Sequence, residues 1–325
     1  MKTVLVTGAG GFIGSNLVRA LIDDKNYKLI LIDKNERRHD ISAIQDTQNE
    51  QIIFYNLDIL DRLSAFDIIK NHKIDTCIHL AAVVSVEDSI RYPDRTMDVN
   101  VNGTINILDA CAHNHVDNFV FASSAAVYGH PTRIPITEEH QLKPISPYGI
   151  SKLLAEKHVS SYMNSKKIRN TISLRIFNAY GEGQFGNVSV ITKFAKRLSM
   201  GLAPLIHGTG MQKRDFVSIN DVVNSMLLSV KAMEDRNDRF EYACPSIFNI
   251  GTGVATTIKE LCEKMIKLSG LDLRPIYAEG SDESDINASC ADITKAKNFL
   301  NFSPNTNLLL DLDRIISSMV TTQVK

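Results

Sequence analysis

Residues 2–17 read KTVLVTGAGGFIGSNL, an apolar run followed by a glycine-rich turn and the start of a helical pattern. Gly8, Gly11 and Gly14 lack side chains, so the backbone can turn tightly there and approach a pyrophosphate closely. The unpaired N–H groups and the dipole of the following helix would attract that anion. This stretch therefore predicts a strand, a dinucleotide-binding turn and a helix, the first unit of a Rossmann fold.

An acidic residue follows at the distance expected for ribose recognition. The apolar run 29–32 ends in Asp33, about 20 residues after the turn. A carboxylate there accepts hydrogen bonds from both ribose hydroxyls and repels a 2′-phosphate, so NAD is the predicted cofactor. Arg37 and Arg38 leave NADP as an alternative, although both also suit a solvated loop.

The composition is that of a globular protein able to bury a large core. The chain has 325 residues, of which 44% are hydrophobic, and a formal net charge of -1. This charge gives no reason to expect binding to nucleic acid or to an anionic membrane surface. No stretch of about 18 apolar residues predicts a membrane span. Strand-forming residues from the second position onward argue against a signal peptide.

Five cysteines are scattered at positions 77, 111, 244, 262 and 290. They lack metal-ligand spacing, and their odd number favours reduced thiols. We therefore expect a cytoplasmic protein without a metal site, in which each cysteine is a small buried hydrophobe.

Short apolar runs alternate with helical patterns through the first half of the chain, which predicts an α/β fold with a doubly wound parallel sheet. The runs lie at 51–55, 75–80, 118–122 and 171–176, and the helical patterns at 61–71, 94–114 and 147–164.

A change of pattern near residue 178 predicts a second, smaller lobe. We expect residues 1–177 to form the NAD-binding Rossmann domain and residues 178–325 to form mainly a mixed α/β substrate lobe. Segments near 212–235 and 245–252 should return to the first domain, with strands near 215–218 and 247–249 rejoining the main sheet.

Tyr148 and Lys152 stand four residues apart behind a helix start, with Ser146 as N-cap and Pro147 at the first helical position. The spacing places a phenol and an ammonium on one helix face. A nearby positive charge lowers a phenol's pKa, so the pair can move a proton on and off a sugar or alcohol hydroxyl. The same spacing also occurs by chance on solvated helices.

Further motifs occur in order along the chain and resemble those of the extended short-chain dehydrogenase/reductase family, which contains NAD-dependent nucleotide-sugar epimerases and dehydratases. The resemblance covers residues 2 to about 302. The motifs are Thr7-Gly8 through Gly14, Asn56-Leu57-Asp58-Ile59, His79-Leu80-Ala81-Ala82, Asn100-Val101-Asn102-Gly103-Thr104, SSAAVYG from Ser123 to Gly129, Tyr148 with Lys152, Leu174-Arg175-Ile176-Phe177-Asn178 and Arg214-Asp215-Phe216-Val217.

The resemblance implies roles for many of these residues. Ser124 would bond the reacting sugar hydroxyl, Tyr148 would be the general base, and Lys152 would hold the nicotinamide ribose. Cofactor contacts are implied for Gly8, Gly11, Phe12, Ile13, Gly14, Asp33, Asp58, Ile59, Leu80, Ala81, Ala82, Asn100, Ser123, Tyr148, Lys152 and Phe177. Substrate contacts are implied for Ser85, Ser124, Tyr148, Asn178, Asn187, Val188, Arg214, Asp285 and Ser289.

Structural alternatives remain open for some of these residues. Asn100 and Asn178 could be helix caps or turn residues, and Arg214 could pair with Asp215 or Asp221. His79 ends an apolar run, where we expect a buried, hydrogen-bonded structural residue.

Missing acidic residues limit the reactions that the resemblance implies. Family dehydratases carry an Asp-Glu pair directly after the strand-end serine, where this chain has Ala125 and Ala126. Without an acid there, elimination of water from C6 has no evident proton donor. Reversible oxidation at one carbon is then the simplest reaction.

Two departures from the family pattern concern the substrate. Residues 282–285 read DESD where the family usually has Arg-x-Gly-Asp, so an arginine for the nucleotide diphosphate is lost at Asp282. Val84 stands where some glucose-specific relatives place a lysine. Ser289, which in the family flanks the C2 substituent of the sugar, is small enough to leave room for an N-acetyl group.

We therefore expect epimerisation of a nucleotide sugar at C4 through a transient 4-keto intermediate, on UDP-Glc and UDP-Gal and on their N-acetylated counterparts. The alternatives are a ketosugar reductase, an epimerase acting at another carbon, and a non-catalytic dinucleotide-binding regulator. The resemblance also implies a homodimer formed through helices at 94–114 and 147–164.

Overall fold

The computed structural model describes residues 1–22, 24, 26–34, 51–184, 189–235, 246–279 and 286–322. Its centre is a sheet of seven strands in the order β3-β2-β1-β4-β5-β6-β10, in which every neighbouring pair is parallel. These strands are β1 (Lys2–Thr7), β2 (Tyr27–Asp33), β3 (Ile52–Asn56), β4 (Thr76–His79), β5 (Asn118–Ser124), β6 (Asn170–Ile176) and β10 (Ser246–Ile250). The predicted doubly wound parallel sheet is confirmed.

Helices cover both faces of this sheet, as the nearly continuous apolar strands require. One buried cluster joins one face to α1 and α8 through Leu17 and Val222, and another joins the opposite face to α2, α5 and α6. The helices of this part are α1 (Phe12–Ile22), α2 (Arg62–His72), α3 (Val86–Arg91), α4 (Pro93–Met97), α5 (Gly103–His113), α6 (Pro147–Asn164) and α8 (Ile219–Glu234).

The start of α6 agrees with its sequence signals. Ser146 is the N-cap, and its Oγ accepts a hydrogen bond from the Gly149 backbone N at 3.1 Å, while Pro147 occupies the first turn. The predicted helix at 94–114 is divided into α4, a π-helical segment (Asp98–Asn102) and α5. Both regions are therefore helical as predicted, but only α6 is one regular element.

A smaller lobe packs beside the carboxyl ends of the main strands. It contains a three-stranded sheet in the order β11-β9-β7 and a strand pair, β8 with β12. Its buried cluster includes Phe194, Leu261 and Leu312, one each from α7, α9 and α11. The elements of the lobe are β7 (Asn178–Tyr180), α7 (Val190–Ser199), β8 (Leu205–His207), β9 (Lys213–Ser218), β11 (Ala255–Thr257), α9 (Ile258–Ser269), β12 (Ile276–Ala278) and α11 (Leu308–Thr322), whereas α10 (Thr294–Leu300) packs on the main sheet.

Of the two strands expected to rejoin the main sheet, β10 does so and pairs with β6. The prediction for 215–218 is wrong, since β9 lies in the small sheet between β7 and β11. The strand begins with the charged residues Lys213, Arg214 and Asp215, which do not suit a strand buried on both faces. The helix that follows it, α8, still packs on the main sheet. The division of the chain at residue 177 stays a prediction.

Asp215 is fully buried and ties β9 to the loop after β10. Its carboxylate accepts hydrogen bonds from the Thr252 backbone N and Oγ1 at 2.8 and 2.6 Å, and from the backbone N of Gly253 and of Ala291, each at 3.0 Å. Four donors therefore converge on one side chain.

Replacing Asp215 with Ala should lower the free energy of unfolding by about 3 kcal/mol or more, because buried donors lose a charged acceptor. The matched replacement Asp313→Ala removes an exposed carboxylate and should change it by less than about 0.5 kcal/mol. Urea denaturation of the two variants measures the difference. Equal effects would show that the four hydrogen bonds contribute little net stability.

Candidate active site

A cavity of about 1170 Å³ lies between the main sheet and the smaller lobe. Residues at or just beyond the carboxyl ends of successive strands line one side of it, among them Gly8, Asp33, Leu80, Ser123 and Phe177. This edge, where the strand order reverses between β1 and β4, is the usual ligand site of doubly wound sheets.

The glycine turn after β1 is closely packed. Gly8 has a φ of 70°, and a Cβ there would lie 2.6 Å from the Ala81 backbone N. A Cβ on Gly14 would collide with the Gly8 carbonyl oxygen. Side chains at these positions are therefore excluded, and the turn leaves the N-terminus of α1 open to the cavity.

The Asp33 side chain faces this turn. Its Oδ2 accepts a hydrogen bond from the Gly10 backbone N at 2.9 Å. The carboxylate thus stands beside the glycine turn at the cavity wall, which is the placement that ribose recognition requires. Arg37 and Arg38, the basis of the NADP alternative, lie outside the described residues.

Most of the other residues predicted to contact a cofactor also line the cavity. Asp58 is one of them, and its carboxylate lies 3.5 Å from the Lys34 ammonium. The described lining includes Gly8, Gly11, Phe12, Ile13, Gly14, Asp33, Asp58, Ile59, Leu80, Ala81, Ala82, Ser123, Tyr148, Lys152 and Phe177.

Asn100 is buried and is not among the described lining residues, so its predicted cofactor contact stays a prediction. Its Oδ1 accepts from the Val83 backbone N at 2.7 Å, and its Nδ2 donates to the Val83 oxygen and to Ser151 Oγ, both at 2.9 Å. The amide therefore holds the loop after β4 against α6. Asn100 lies within the π-helical segment, so it is neither a helix cap nor a turn residue, the two alternatives considered above.

The two serines at the end of β5 have different partners. Ser123 Oγ donates to Glu156 Oε2 at 2.7 Å, so its hydroxyl is directed to α6. Ser124 Oγ accepts from the Ala126 backbone N at 3.1 Å and is also hydrogen-bonded to the Tyr148 phenol. The predicted Ser124–Tyr148 pair is therefore present at the cavity wall.

Tyr148 and Lys152 line the cavity one helical turn apart on α6. Burial raises the pKa of the Tyr148 phenol, and the hydrogen bond from Ser124 opposes this only in part. Burial also lowers the pKa of Lys152 to about 8. Its Nζ donates to the Ala122 carbonyl at 2.8 Å and lies 5.0 Å from the centre of the Phe121 ring.

The expected lowering of the Tyr148 pKa therefore does not occur in this structure. The physical reason is that removing the phenolate from water outweighs the stabilising contacts of the charged form. Tyr148 holds its proton here, and a positive charge brought beside it would be needed to favour the phenolate.

His79 is a buried structural residue, as predicted. Its ring nitrogens contact Thr7 Oγ1 at 2.7 Å and Thr104 Oγ1 at 3.0 Å. Burial lowers its pKa to about 3, with a smaller contribution from the Lys152 charge, so the ring is neutral.

Two of the residues predicted only for the substrate, Asn178 and Arg214, line the cavity. Arg214 Nη1 donates to the carbonyl oxygens of Lys213 and Ile286. The alternative partner Asp215 accepts from the four donors described above, and Asp221 accepts from the Asn305 backbone N at 2.9 Å and from Thr306 Oγ1.

Other predicted substrate residues are placed elsewhere or are not described. Ser85 caps α3, with Oγ accepting from the Asp88 backbone N at 3.0 Å, and Ser289 is buried beside β9, with its backbone N bonded to the Lys213 oxygen. Neither is among the described lining residues. Asn187, Val188, Asp282 and Asp285 lie outside the described residues.

The cavity wall that the smaller lobe contributes was not predicted from the sequence. The described lining there includes Lys193, Lys196, Arg197, His207 and Gln212. The three cations follow the Ser189 capping box of α7 at positions i, i+3 and i+4, a spacing that places them on one helix face. That spacing was the available signal, but only the packing of α7 shows that the face meets the cavity.

The described lining of the cavity is strongly basic. It carries seven basic side chains, Lys34, Arg95, Lys152, Lys193, Lys196, Arg197 and Arg214, against two acidic ones, Asp33 and Asp58. Such an excess attracts an anionic ligand.

Among the described residues, no group of three or more His, Cys, Asp or Glu side chains could hold a metal ion. No helix in this part of the chain combines the length and the apolar character of a membrane span.

Comparison with known proteins agrees with this geometry. A family model described as GDP-mannose 4,6 dehydratase matches residues 5–314. The UDP-glucose 4-epimerase of Lactobacillus helveticus is 32% identical, over 93% of this chain and 92% of its own.

Solved structures of comparable proteins superpose along the whole chain. The UDP-glucose 4-epimerase of Thermotoga maritima with UDP-glucose has a TM-score of 0.87 at 30% identity, covering 99% of both chains. The UDP-N-acetylglucosamine 4-epimerase of Methanobrevibacter ruminantium has 0.86 at 29%, also covering 99% of both. The UDP-glucose 4-epimerase of Thermus thermophilus, in complex with NAD, has 0.83 at 26% and covers 98% of both.

Lys152 provides a test of the buried charge. Because its pKa is lowered from 10.5 to about 8, the unfolded chain binds more protons between these values, and stability should rise with pH across that window. Lys152→Met should raise the free energy of unfolding at pH 7 by up to about 3 kcal/mol. The gain should fade between pH 8 and about 10.4. Urea denaturation of cofactor-free protein measures it; a difference independent of pH would contradict the buried-charge explanation.

Proposed function

The chain belongs to the GDP-mannose 4,6-dehydratase-type branch of the short-chain dehydrogenase/reductase family, and we propose that it is an NAD-dependent nucleotide-sugar 4-epimerase. The observation that carries this proposal is the Ser124–Tyr148–Lys152 group at the cavity wall, followed after β5 by Ala125 and Ala126. The two acids in the described lining, Asp33 at the end of β2 and Asp58 after β3, lie at the other end of the site. Oxidation and reduction at one carbon need no further acid, whereas dehydration does.

The residues at the cavity fit NAD. Gly8, Gly11 and Gly14 form a cradle in which a Cβ on Gly8 or Gly14 would collide with backbone and one on Gly11 would lie 3.1 Å from the Gly8 oxygen, and Asp33 places a carboxylate beside it. These groups would hold the pyrophosphate and the adenosine ribose. Bound NAD supplies a hydride acceptor that returns the hydride in the second half of the reaction. The preference for NAD over NADP stays a prediction based on Asp33.

The chain's own residues provide the proton transfer. Tyr148 would take the proton of the C4 hydroxyl and later return it, with Ser124 bonded to the same hydroxyl. A 4-keto sugar that turns over in the site receives the hydride on its other face, which inverts C4. Lys152, one helical turn away, would hold the nicotinamide ribose; its charge alone does not favour the phenolate in this structure, where burial keeps the pKa of Tyr148 raised.

The substrate proposed is a UDP-hexose. The basic lining suits a nucleotide diphosphate, and Arg214 offers the planar guanidinium that such a group binds well. The relatives named above support UDP-glucose and UDP-galactose. Acceptance of UDP-GlcNAc and UDP-GalNAc rests on the small side chain of Ser289, although the residue is not in the described lining.

The experiment that tests this function is incubation of purified protein with UDP-, dTDP-, GDP- and CDP-hexoses, with the epimers resolved by NMR. We expect interconversion of UDP-Glc and UDP-Gal without added reductant. Stoichiometric NADH consumption would instead identify a ketosugar reductase. Inversion at a carbon other than C4 would identify a different epimerase.

We also infer a homodimer in the cytoplasm. Large apolar side chains on α3, α6 and the α3–α4 junction are exposed, including Ile90, Tyr92 and Ile150, and a second copy could cover them. The four described cysteines are free and buried, which suits a reducing compartment. Light scattering that gives a monomer at micromolar concentration would contradict the dimer, and recovery of the native protein outside the cytoplasmic fraction would contradict the location.

Tyr148→Phe should lower kcat by about 10² or more and leave NAD affinity nearly unchanged, because it removes only the proton-transfer hydroxyl. Tyr92→Phe, at an exposed tyrosine, is the matched control and should keep full turnover. Steady-state assays and cofactor titration measure both effects. Normal turnover in Tyr148→Phe would remove the phenol from the mechanism.

Arg214→Ala should raise KM for the nucleotide sugar, with a loss of about 1.5–3 kcal/mol if a charged hydrogen bond to the diphosphate disappears. The control Arg274→Ala removes an exposed arginine that is not among the described lining residues. If Arg214→Ala lowers stability while KM stays the same, its bonds to Lys213 and Ile286 are its main role.

A further inference from the structure

Lys152 and Glu156 both lie on α6, four residues apart, and both are buried, with exposed fractions of 4% and 2%. Side chains at this spacing are neighbours on one helix face and commonly form an ion pair. In a dry environment the attraction between opposite charges is stronger than at the surface. The sequence therefore gives Glu156 an obvious partner in Lys152.

In the structure, Glu156 pairs with Arg175 and not with Lys152. Arg175 of β6, itself 2% exposed, donates from Nη2 to Glu156 Oε1 at 2.6 Å and from Nε to Oε2 at 3.0 Å. Ser123 Oγ donates to the same Oε2 at 2.7 Å. Both carboxylate oxygens are therefore engaged by a bidentate guanidinium and a hydroxyl, which is among the strongest arrangements available to a carboxylate.

Arg175 is itself held in place by neutral groups. Its Nη1 donates to the Tyr128 phenol and to the Glu138 carbonyl oxygen, each at 2.9 Å, and its guanidinium carbon lies 4.9 Å from the centre of the Tyr128 ring. Four of its five N–H donors are thus occupied, two of them by Glu156, and the guanidinium has a fixed orientation.

Lys152 is left with neutral partners, the Ala122 carbonyl oxygen and the Phe121 ring. A ligand hydroxyl can compete with such partners far more easily than with a buried carboxylate. We propose that Arg175 is a positioning residue that holds Glu156 away from Lys152, so that the Lys152 ammonium remains available to the cofactor and to Tyr148. This inference rests on the proposed function only for the cofactor role of Lys152.

Removal of Arg175 would leave the Glu156 carboxylate buried with Ser123 as its remaining partner. An uncompensated buried charge is strongly unfavourable, and turning toward Lys152 relieves it at the spacing that already exists on α6. Removal of the Glu156 charge also leaves Arg175 without its carboxylate, which lowers stability, but no acid then remains to capture Lys152, which keeps its neutral partners. The proposal thus predicts that the two halves of one ion pair respond differently.

The titratable groups around Lys152 determine how the affinity for NAD depends on pH. Tyr148 and Glu156 lie on its own helix, neutral His79 faces it from the end of β4, and Arg175 stands beyond Glu156 on β6. The charged residues of α3, α4 and the π-helical segment packed against α6 are exposed; these are Glu87, Asp88, Arg91, Asp94, Arg95 and Asp98.

The experiment is titration of full-length, cofactor-free protein with NAD, without sugar, for wild type, Arg175→Met, Glu156→Gln and the double variant. We expect Arg175→Met to weaken NAD binding about 10-fold or more, by analogy with other broken buried pairs. Glu156→Gln and the double variant should stay within about 3-fold of wild type, since neither leaves a carboxylate to capture Lys152.

The pH dependence of NAD binding is a second measurement, which a purely structural role of Arg175 would leave unchanged. Wild-type affinity for NAD should fall as Lys152 loses its proton above pH 8, in keeping with its lowered pKa. Pairing with Glu156 would raise the pKa of Lys152, so in Arg175→Met this fall should move to higher pH. In Glu156→Gln it should stay at the wild-type position.

Equal weakening by Arg175→Met and Glu156→Gln, or an unchanged pH dependence in Arg175→Met, would overturn the inference and leave a purely structural ion pair. If Arg175→Met does not fold, Arg175→Gln carries the same test, because glutamine can still donate one hydrogen bond to Glu156. Wild-type protein that binds no NAD would count against the proposed function, whereas normal wild-type binding with equal losses in both variants would count against this inference alone.

Discussion

The ion pair between Glu156 and Arg175 joins the helix that carries Tyr148 and Lys152 to the sheet that carries Ser124. Ser123 bonds to the same carboxylate, so β5, β6 and α6 meet at one buried point. The connection continues through the Tyr128 phenol, which donates to Asn249 Oδ1 at 2.6 Å on β10. The geometry of the proton-transfer group therefore depends on charges that lie behind the cavity and do not touch it.

Burial of these groups has a chemical consequence at the site. The same dry surroundings raise the pKa of Tyr148, which keeps its phenol neutral before a ligand enters, and lower that of Lys152 to about 8, so that its ammonium loses its proton more readily than that of an exposed lysine. Anionic ligands are drawn in by the basic lining, and a positive charge placed beside Tyr148 would reverse its preference. A site of this kind suits chemistry that starts only when cofactor and substrate are both present.

Local sequence patterns predicted the elements well and the side-chain partners poorly. Gly8, Asp33 and Tyr148 line the predicted site because their spacing reflects backbone geometry within one strand, turn or helix. Asn100 and Ser123 were assigned to the cofactor, but their polar groups bond to Val83, Ser151 and Glu156. A side chain's partner across the fold depends on packing between distant segments, which no local pattern contains.

By itself, the sequence determined the alternating strands and helices, the glycine turn, the acid at the end of β2 and the start of α6, because each follows from backbone propensity and short-range spacing. Only the tertiary structure decided that β9 leaves the main sheet, that the cations of α7 face the cavity, and that Glu156 pairs with Arg175 rather than with Lys152. The pairing of Glu156 shows why the sequence could not decide such contacts. Two partners were available to one buried carboxylate, and the bidentate guanidinium from β6, together with Ser123, satisfied both of its oxygens.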